Sequence, residues 1–539
     1  MDILFAPGSK KKTIELKQET VKDLGLSDII DNITESEKER NIVRDIMSKI
    51  PVDLSDIRYR QEIMKDFLEN DGLTKDFTEA IWQIKTLKDY GSNRMLLSHN
   101  DNSLYVLLEY LRELSVYVNV LEEMSKCLEN NTIASEGLKL LRDRILETVS
   151  DKEFDEAKED INRMLNDLSG VNGAIVGVNF TPDLDVEQVS VVEFVPYKIR
   201  SKYKFAEVAA TLGLILNSSQ ASNQGGRAGG PGGVVKVADP LLVTMTPQIE
   251  KHLKRHFTRI KSTMSKYIKL DATFITEIYE ALTFYLAMTR FAKRLEAEGL
   301  EICIPKLSED EKRIFALKDL YNVRLFFAGE KNIVKNNLTF SSKENLFILT
   351  GPNRGGKTII EQAVGIISIM ASSGAFVTAS ECTGRPFNNI LTHFPIDENL
   401  TINYGRLGEE AVRIKDIVKE SDSGTLILFN ETYSTTSAVD GLYLSKDLLK
   451  ILKEIGAAVI FNTHIHDVAR SIEEMNEWPG DSSFVSLVME IKDNVNTFRV
   501  KRSAPESKSY AQNIAEKYGI TYEQMKEERI SEVEKTEIQ

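Results

Sequence analysis

Cysteine is almost missing: 539 residues hold only three, Cys127, Cys303 and Cys382. Widely spaced and odd in number, they exclude a disulfide framework and show no zinc-type spacing. Long apolar runs are missing too. No stretch reaches the roughly 18 apolar residues of a membrane span. The start, Met1-Asp-Ile-Leu-Phe-Ala-Pro7, has neither the basic residues nor the apolar length of a secretory signal. These absences predict a cytoplasmic chain. Positive charge is also in short supply. At a net -14, the overall field does not favour nucleic acid, so any DNA contact has to come from local stripes. Two stripes fit: Lys251, Lys254, Arg255, Arg259 and Lys261 in a helix-compatible run, and Lys198, Arg200, Lys202 and Lys204 in alternation. Each could neutralise phosphates or be a solvated face.

The chain does have ample core material, with 42% hydrophobic residues and an ordinary 28% charged share, in a length that suggests three or four domains. The first half reads as helical. Leu104, Leu107, Leu111, Leu114, Val118, Leu121, Met124 and Leu128 recur every three or four residues, the stripe of a long amphipathic helix. The same spacing returns at Ile275, Tyr279, Leu282, Leu286 and Leu295. Between these blocks the period changes. Ala174–Val178 and Val186–Val195 are β-rich and flank Thr181-Pro-Asp-Leu-Asp185, which reads as a hairpin turn. The nine residues Gly225 to Gly233 are the low-complexity stretch, expected as a flexible loop. It is a poorer phosphate cradle, with no preceding strand and no Lys-Thr partner. The charged end, Glu523 to Gln539, reads as a frayed helix or tail.

The sharpest chemical signal is Gly351-Pro-Asn-Arg-Gly-Gly-Lys-Thr358, directly after the apolar run Leu346–Leu349. It fits the loop whose backbone N–H groups cradle phosphates. Gly351, Gly355 and Gly356 supply backbone freedom and close approach. Pro352, Asn353 and Arg354 complete the loop, Lys357 would neutralise β/γ-phosphates, and the Thr358 hydroxyl would ligate Mg²⁺. The helix-compatible run from Ile359 would bring its positive N-terminal end to the phosphates. A second apolar strand, Thr425–Phe429, runs into Asn430-Glu431, where a carboxylate can orient an attacking water. A third, Ala457–Phe461, leads to Asn462-Thr-His-Ile-His466. His464 could sense the γ-phosphate there, or be a satisfied strand-end histidine.

These residues resemble the MutS family of DNA mismatch-repair ATPases, whose P-loop carries the same Gly-Pro-Asn opening. Ser434-Thr-Thr-Ser437 with Val439-Asp440-Gly441 stand where that family has a small-residue loop and an Asp-Gly pair. Thr463-His464-Ile465-His466-Asp467 stands at its histidine loop, and Ser507–Tyr510 with Ala515 to Gly519 at its closing segment. Upstream, Ile50–Asp53 and Arg58–Arg60 are similar to its core region. The resemblance implies an α/β P-loop NTPase domain (ABC-like), preceded by a mostly α-helical core/lever domain with a small β-rich clamp-like insertion. The implied divisions are 1–170 and 237–305 for lever helices, 171–236 for the insertion and its glycine-rich loop, 306–520 for the ATPase domain and 521–539 for the tail. Implied cofactors are ATP and Mg²⁺. Glu431 and His464 would act in hydrolysis, and Thr358 and Asn430 on the metal side. Implied partners are DNA, duplex or branched, and a second copy in a homodimer, with an obligate heterodimer as the competing arrangement.

The chain also departs from the family. Asn430 replaces an aspartate beside the metal and removes a negative charge, which puts the rate of turnover in question. The Ser-Thr stretch that reaches a partner's site is replaced by something like Tyr404–Glu409, where Arg406 is the available phosphate donor. Core-like sequence starts by Thr20, so neither a mismatch-reading domain with its Phe wedge nor a connector is expected. No nuclease-like tail is expected after Gly519, which argues against the family's Smr-tailed bacterial paralogue. Two further classes compete: a nucleotide-controlled protein scaffold that does not touch DNA, and a transporter ATPase, disfavoured by the lack of a Leu-Ser-Gly-Gly-Gln signature.

Overall fold

The computed structural model describes residues 2–96, 104–169, 173–183, 186–195, 197–198, 273–308, 315–395, 406–434, 436–492, 495–504 and 518–527. The glycine run 225–233, the basic stripes apart from Lys198, Tyr404 and the closing segment before Tyr518 lie outside the described residues. The chain divides into two compact units, 78–130 with 141–279, and 2–77 with 131–140 and 280–539.

The opening elements are β1 (Thr13–Glu15), α1 (Gln18–Asp23), α2 (Leu26–Ile33), α3 (Glu37–Ser48), β2 (Lys49–Pro51) and α4 (Leu54–Glu69). Then come α5 (Asp71–Leu96), α6 (Leu104–Asn130), α7 (Glu136–Val149) and α8 (Lys152–Ser169). In α6 the apolar stripe is buried over its described side chains, from Leu111 and Leu114 to Leu121, Met124 and Leu128. β3 (Gly173–Phe180) and β4 (Val186–Val195) pair antiparallel, from Gly173 opposite Val195 to Phe180 opposite Val186. α9 (Thr273–Ala297) buries Ile275, Tyr279, Leu282, Leu286 and Leu295.

The remaining elements build an α/β assembly: β5 (Lys306–Leu307), β6 (Phe315–Leu320), α10 (Val323–Phe327), β7 (Asn336–Phe340), β8 (Glu344–Thr350), α11 (Lys357–Ser372), β9 (Glu381–Gly384), β10 (Asn389–His393), α12 (Arg406–Glu420), β11 (Thr425–Asn430), α13 (Ala438–Ile455), β12 (Ala458–Asn462), α14 (His466–Arg470), α15 (Ile472–Asn476), β13 (Ser483–Lys492) and β14 (Val495–Arg502). Six strands form one sheet in the order β10-β11-β12-β8-β13-β14. The first five are parallel and β14 closes the edge antiparallel. Strands covered on both faces read as unbroken apolar runs, and β11 and β12 are buried at every position. A second sheet has the order β5-β9-β6-β7.

In a parallel sheet, ligands are met beyond the carboxyl ends of the strands. Here the register sets Asn430 at the end of β11 beside Asn462 at the end of β12, and Asn462 beside Leu349 of β8. α11 leaves from that same edge. It is buried on nearly all sides from Ile360 to Ser372, and Gly365 allows one of its close contacts. A Cβ there would fall 2.7 Å from Leu24 Cδ2 and 2.8 Å from Leu428 Cδ1. The segment ahead of α2 is thus packed onto the helix that carries the phosphate loop. An ion pair fixes the same segment to the sheet edge: Arg413 of α12 donates to Asp23 Oδ2 at 2.7 Å, and Thr392 of β10 donates to that oxygen at 2.7 Å.

Candidate functional site

The loop from Gly351 to Gly356 closes between β8 and α11 under steric constraints that only glycine meets. Gly351 has φ 144°, and a Cβ on it would lie 2.7 Å from Met489 Cβ. Gly356 has φ 95°, with Phe498 Cδ1 3.2 Å from the place of its Cβ. Arg354 takes a positive φ of 61° without being glycine, a conformation that costs energy and clusters at functional sites. Lys357 is 5% exposed and donates to the loop carbonyls of Gly351 at 3.1 Å and Pro352 at 3.2 Å. Burial lowers its pKa, while the charges of Glu431 and Glu361 oppose that shift.

Thr358 and Asn430 are brought together at the head of α11. Thr358 Oγ1 donates to Asn430 Oδ1 at 3.1 Å. Asn462 Nδ2 donates to the same oxygen at 2.5 Å and to Glu361 Oε2 at 3.3 Å. Glu361 and Asn462 were not visible as site residues in the sequence. Glu361 lies one turn beyond Thr358 on α11, and a helix buried all round shows no polar face to mark it. Burial raises its pKa well above the carboxylate range.

Glu431 stands at the mouth, on a strained turn: its φ is 52° and that of Tyr433 is 60°. Its N–H donates to the Asn462 carbonyl at 2.9 Å. From behind, Thr432 Oγ1 meets His393 Nδ1 at 3.1 Å, and the Tyr433 N–H donates to Glu410 Oε1 at 2.8 Å. His464 is exposed on the loop after β12. Its neighbour His466 is half-buried, its Nδ1 has no hydrogen-bond partner, and its pKa is lowered by burial and then by the charges of Arg470 and Lys357. Arg406 opens α12. Ser437 caps α13 by accepting the Asp440 N–H at 3.2 Å, so Asp440 sits on the first turn of that helix.

A cleft of about 560 Å³ adjoins the loop, lined by Asn353 to Ile360, Glu431, Leu325, Val334 and Phe498 among others. Phe498 belongs to β14, far along the chain, so no local pattern ties it to the loop. Asn336 holds it there, donating to its carbonyl at 3.1 Å and accepting the Val500 N–H at 2.7 Å. Asn322 fixes the other wall, donating to the Ile359 carbonyl at 2.9 Å. The arrangement joins the loop to a cleft with mixed polar and apolar walls. Among the described residues no group of His, Cys, Asp and Glu forms a metal cluster, so a cation here would rest on oxygens of Thr358, Asn430 and its own ligand. That donor set suits Mg²⁺, which keeps waters and few protein ligands.

The sheet order and this loop define a P-loop nucleotide-binding domain. Its particular kind follows from comparison with known proteins. Residues 347–533 match MutS domain V, the P-loop ATPase domain of that family, and residues 52–190 match the MutS2 N-terminal domain. The DNA mismatch repair protein MutS of Carboxydothermus hydrogenoformans is 30% identical over 197 residues, 36% of this chain and 23% of that protein. MutS of Bacillus mycoides is 24% identical over 281 residues, half of this chain and 31% of the relative. The endonuclease MutS2 of Clostridium novyi is 26% identical over 254 residues, 47% of this chain and 30% of the relative. The resemblance to MutS proteins is thus shown, while the matched part spans less than a third of those relatives' length. The MutS2 match falls within the helical half, while the MutS match covers the α/β part. No described helix is long and apolar enough to cross a membrane.

Proposed function

We propose that this chain is an ATP-dependent DNA-binding protein of the MutS type, a switch in which bound nucleotide changes the hold on DNA in mismatch repair or related recombination. The observation that carries it is the built phosphate site. Gly351 and Gly356 hold positive-φ conformations closed to other residues, and Lys357 and Thr358 stand at the head of α11. Phosphates would rest on those N–H groups and on the helix's positive end. The adenine would enter the cleft that Phe498 and Val334 help to line, where one aromatic face supports stacking.

Mg²⁺, held by Thr358 and through water by Asn430, would supply charge neutralisation on the phosphates. Glu431 would hold a water by its carboxylate, and the residues after it are anchored to His393 and Glu410. Lys357 would exchange its bonds to the Gly351 and Pro352 carbonyls for phosphate oxygens. The net charge of -14 supports a second reading, a nucleotide-controlled protein scaffold without DNA contact. The nucleotide step common to both is tested by calorimetry of ATP binding. Lys357→Ala is expected to remove binding, because the phosphates lose the motif's cation. Unchanged affinity in that variant would overturn the P-loop assignment.

A further inference from the structure

Beneath the cradle lie three polar residues that the nucleotide reading does not use in full. Glu361 and Asn462 are completely buried and Asn430 nearly so, at 7% exposed. Asn462 Nδ2 bridges Glu361 Oε2 and Asn430 Oδ1, while Glu361 Oε1 and Asn462 Oδ1 have no hydrogen-bond partner. An aspartate at position 430 would present two equivalent accepting oxygens. An asparagine presents one acceptor and one two-hydrogen donor, so the end that faces Thr358 decides whether the site offers an oxygen or an N–H. A metal-bound water, or the metal itself, needs the oxygen.

The direction of that amide is set by a chain of donors and acceptors. Asn462 Nδ2 donates to Glu361 Oε2, which accepts as long as Oε2 carries no proton, and this turns the Asn462 amide nitrogen inwards. The same Nδ2 then reaches Asn430, which must turn Oδ1 inwards. That oxygen also accepts from Thr358. In a buried network, an inverted amide leaves a donor facing a donor, which costs the full loss of a hydrogen bond.

We propose that Glu361 is a positioning residue for the metal side of the nucleotide site: through Asn462 it fixes which end of the Asn430 amide faces Thr358. The chain thereby compensates for its missing aspartate with a carboxylate placed one helical turn past Thr358. The inference rests on the nucleotide reading and adds to it a residue pair and a direction.

The test is ATP binding at graded Mg²⁺ concentrations, followed by calorimetry in the wild type, Glu361→Gln, Asn430→Asp and the double variant. Gln has the shape of Glu but can present either a donor or an acceptor, so the direction is lost while packing is kept. Glu361→Gln is expected to raise the Mg²⁺ needed for half-maximal ATP binding by about fivefold, the equivalent of one hydrogen bond. On the Asn430→Asp background the same change is expected to do nothing, since a carboxylate has no wrong end. Asn462→Ser interrupts the relay at its middle and is expected to follow the same two-background pattern, which keeps the test available if Glu361→Gln folds poorly. A half-saturation unmoved by Glu361→Gln overturns the inference, as does an equal shift in both backgrounds, which would mark a packing effect. Wild-type protein that binds ATP normally under either of those results leaves the nucleotide reading standing. Wild-type protein without Mg²⁺-dependent ATP binding sinks both.

Discussion

Acidification from pH 7 to pH 5 is expected to weaken the fold through one side chain, His393. It is 5% exposed and sits behind the Glu431 turn, with Nδ1 3.1 Å from Thr432 Oγ1. Burial first, and then the charge of Arg413, push its pKa from an ordinary 6.5 down to about 4. Glu410 Oε1, 3.8 Å from Nε2, pulls the other way, but that oxygen already accepts the Tyr433 N–H, and burial prevails. A group with a depressed folded pKa contributes stability that is complete above its unfolded value and is lost as pH falls towards the folded value. The window therefore runs from about 6.5 down to about 4. A shift of this size is worth about 3 kcal/mol in all, of which about 2 kcal/mol is gone by pH 5. Urea unfolding of the wild type and His393→Gln at both pH values is the assay, because carboxylates common to both proteins cancel in the difference. The stability gap between the two is expected to shrink by about 2 kcal/mol between pH 7 and pH 5. A gap that does not change with pH would refute the argument that His393 is held neutral.

Asn430→Asp is expected to steepen the Mg²⁺ dependence of turnover and raise its rate, because a negative charge returns beside Thr358; steady-state hydrolysis at varied Mg²⁺ reads it, and an unchanged profile removes position 430 from the metal shell. Glu431→Gln should bind ATP at wild-type affinity and fail to cleave it, as single-turnover hydrolysis would show; normal cleavage would take the water-orienting role from Glu431. Assembly is expected to be a homodimer tightened by ATP through the nucleotide domain, where Val439 and Tyr443 stand exposed on α13 and a two-fold pair is the commonest closed arrangement. Sedimentation with Mg²⁺ and a non-hydrolysable ATP analogue checks it, and a chain that stays monomeric at high concentration would favour the mixed pair with a second, unlike subunit.

The loop between β8 and α11 could be read from the sequence because its pattern is local: three glycines, a lysine and a threonine fall at fixed spacing within eight residues. β11 and β12 were legible because a doubly covered strand must be apolar throughout. The stripe of α6 was legible because one face is buried and the opposite one is not. What escaped the sequence depends on long-range placement. Phe498 reaches the cleft only through the antiparallel edge of the sheet and the clasp of Asn336. The docking of Asp23 and Leu24 on α12 and α11 joins residues far apart in the chain. Glu361 was hidden because α11 is buried on all sides, so its carboxylate interrupts no visible pattern. Of the two histidines after β12, His464 is exposed and His466 half-buried, a difference that depends on how the loop turns and that the motif does not show.

The most direct test of the account is the affinity of the wild type and Lys357→Ala for labelled duplex, mismatched duplex and four-way-junction DNA, followed by fluorescence anisotropy with and without Mg²⁺-ATP at one fixed salt concentration. The account predicts that the wild type binds at least one of these DNAs with an affinity that ATP changes, and that Lys357→Ala binds it with no response to ATP. Wild-type protein that binds none of them, or binds with an affinity indifferent to ATP, would contradict the account.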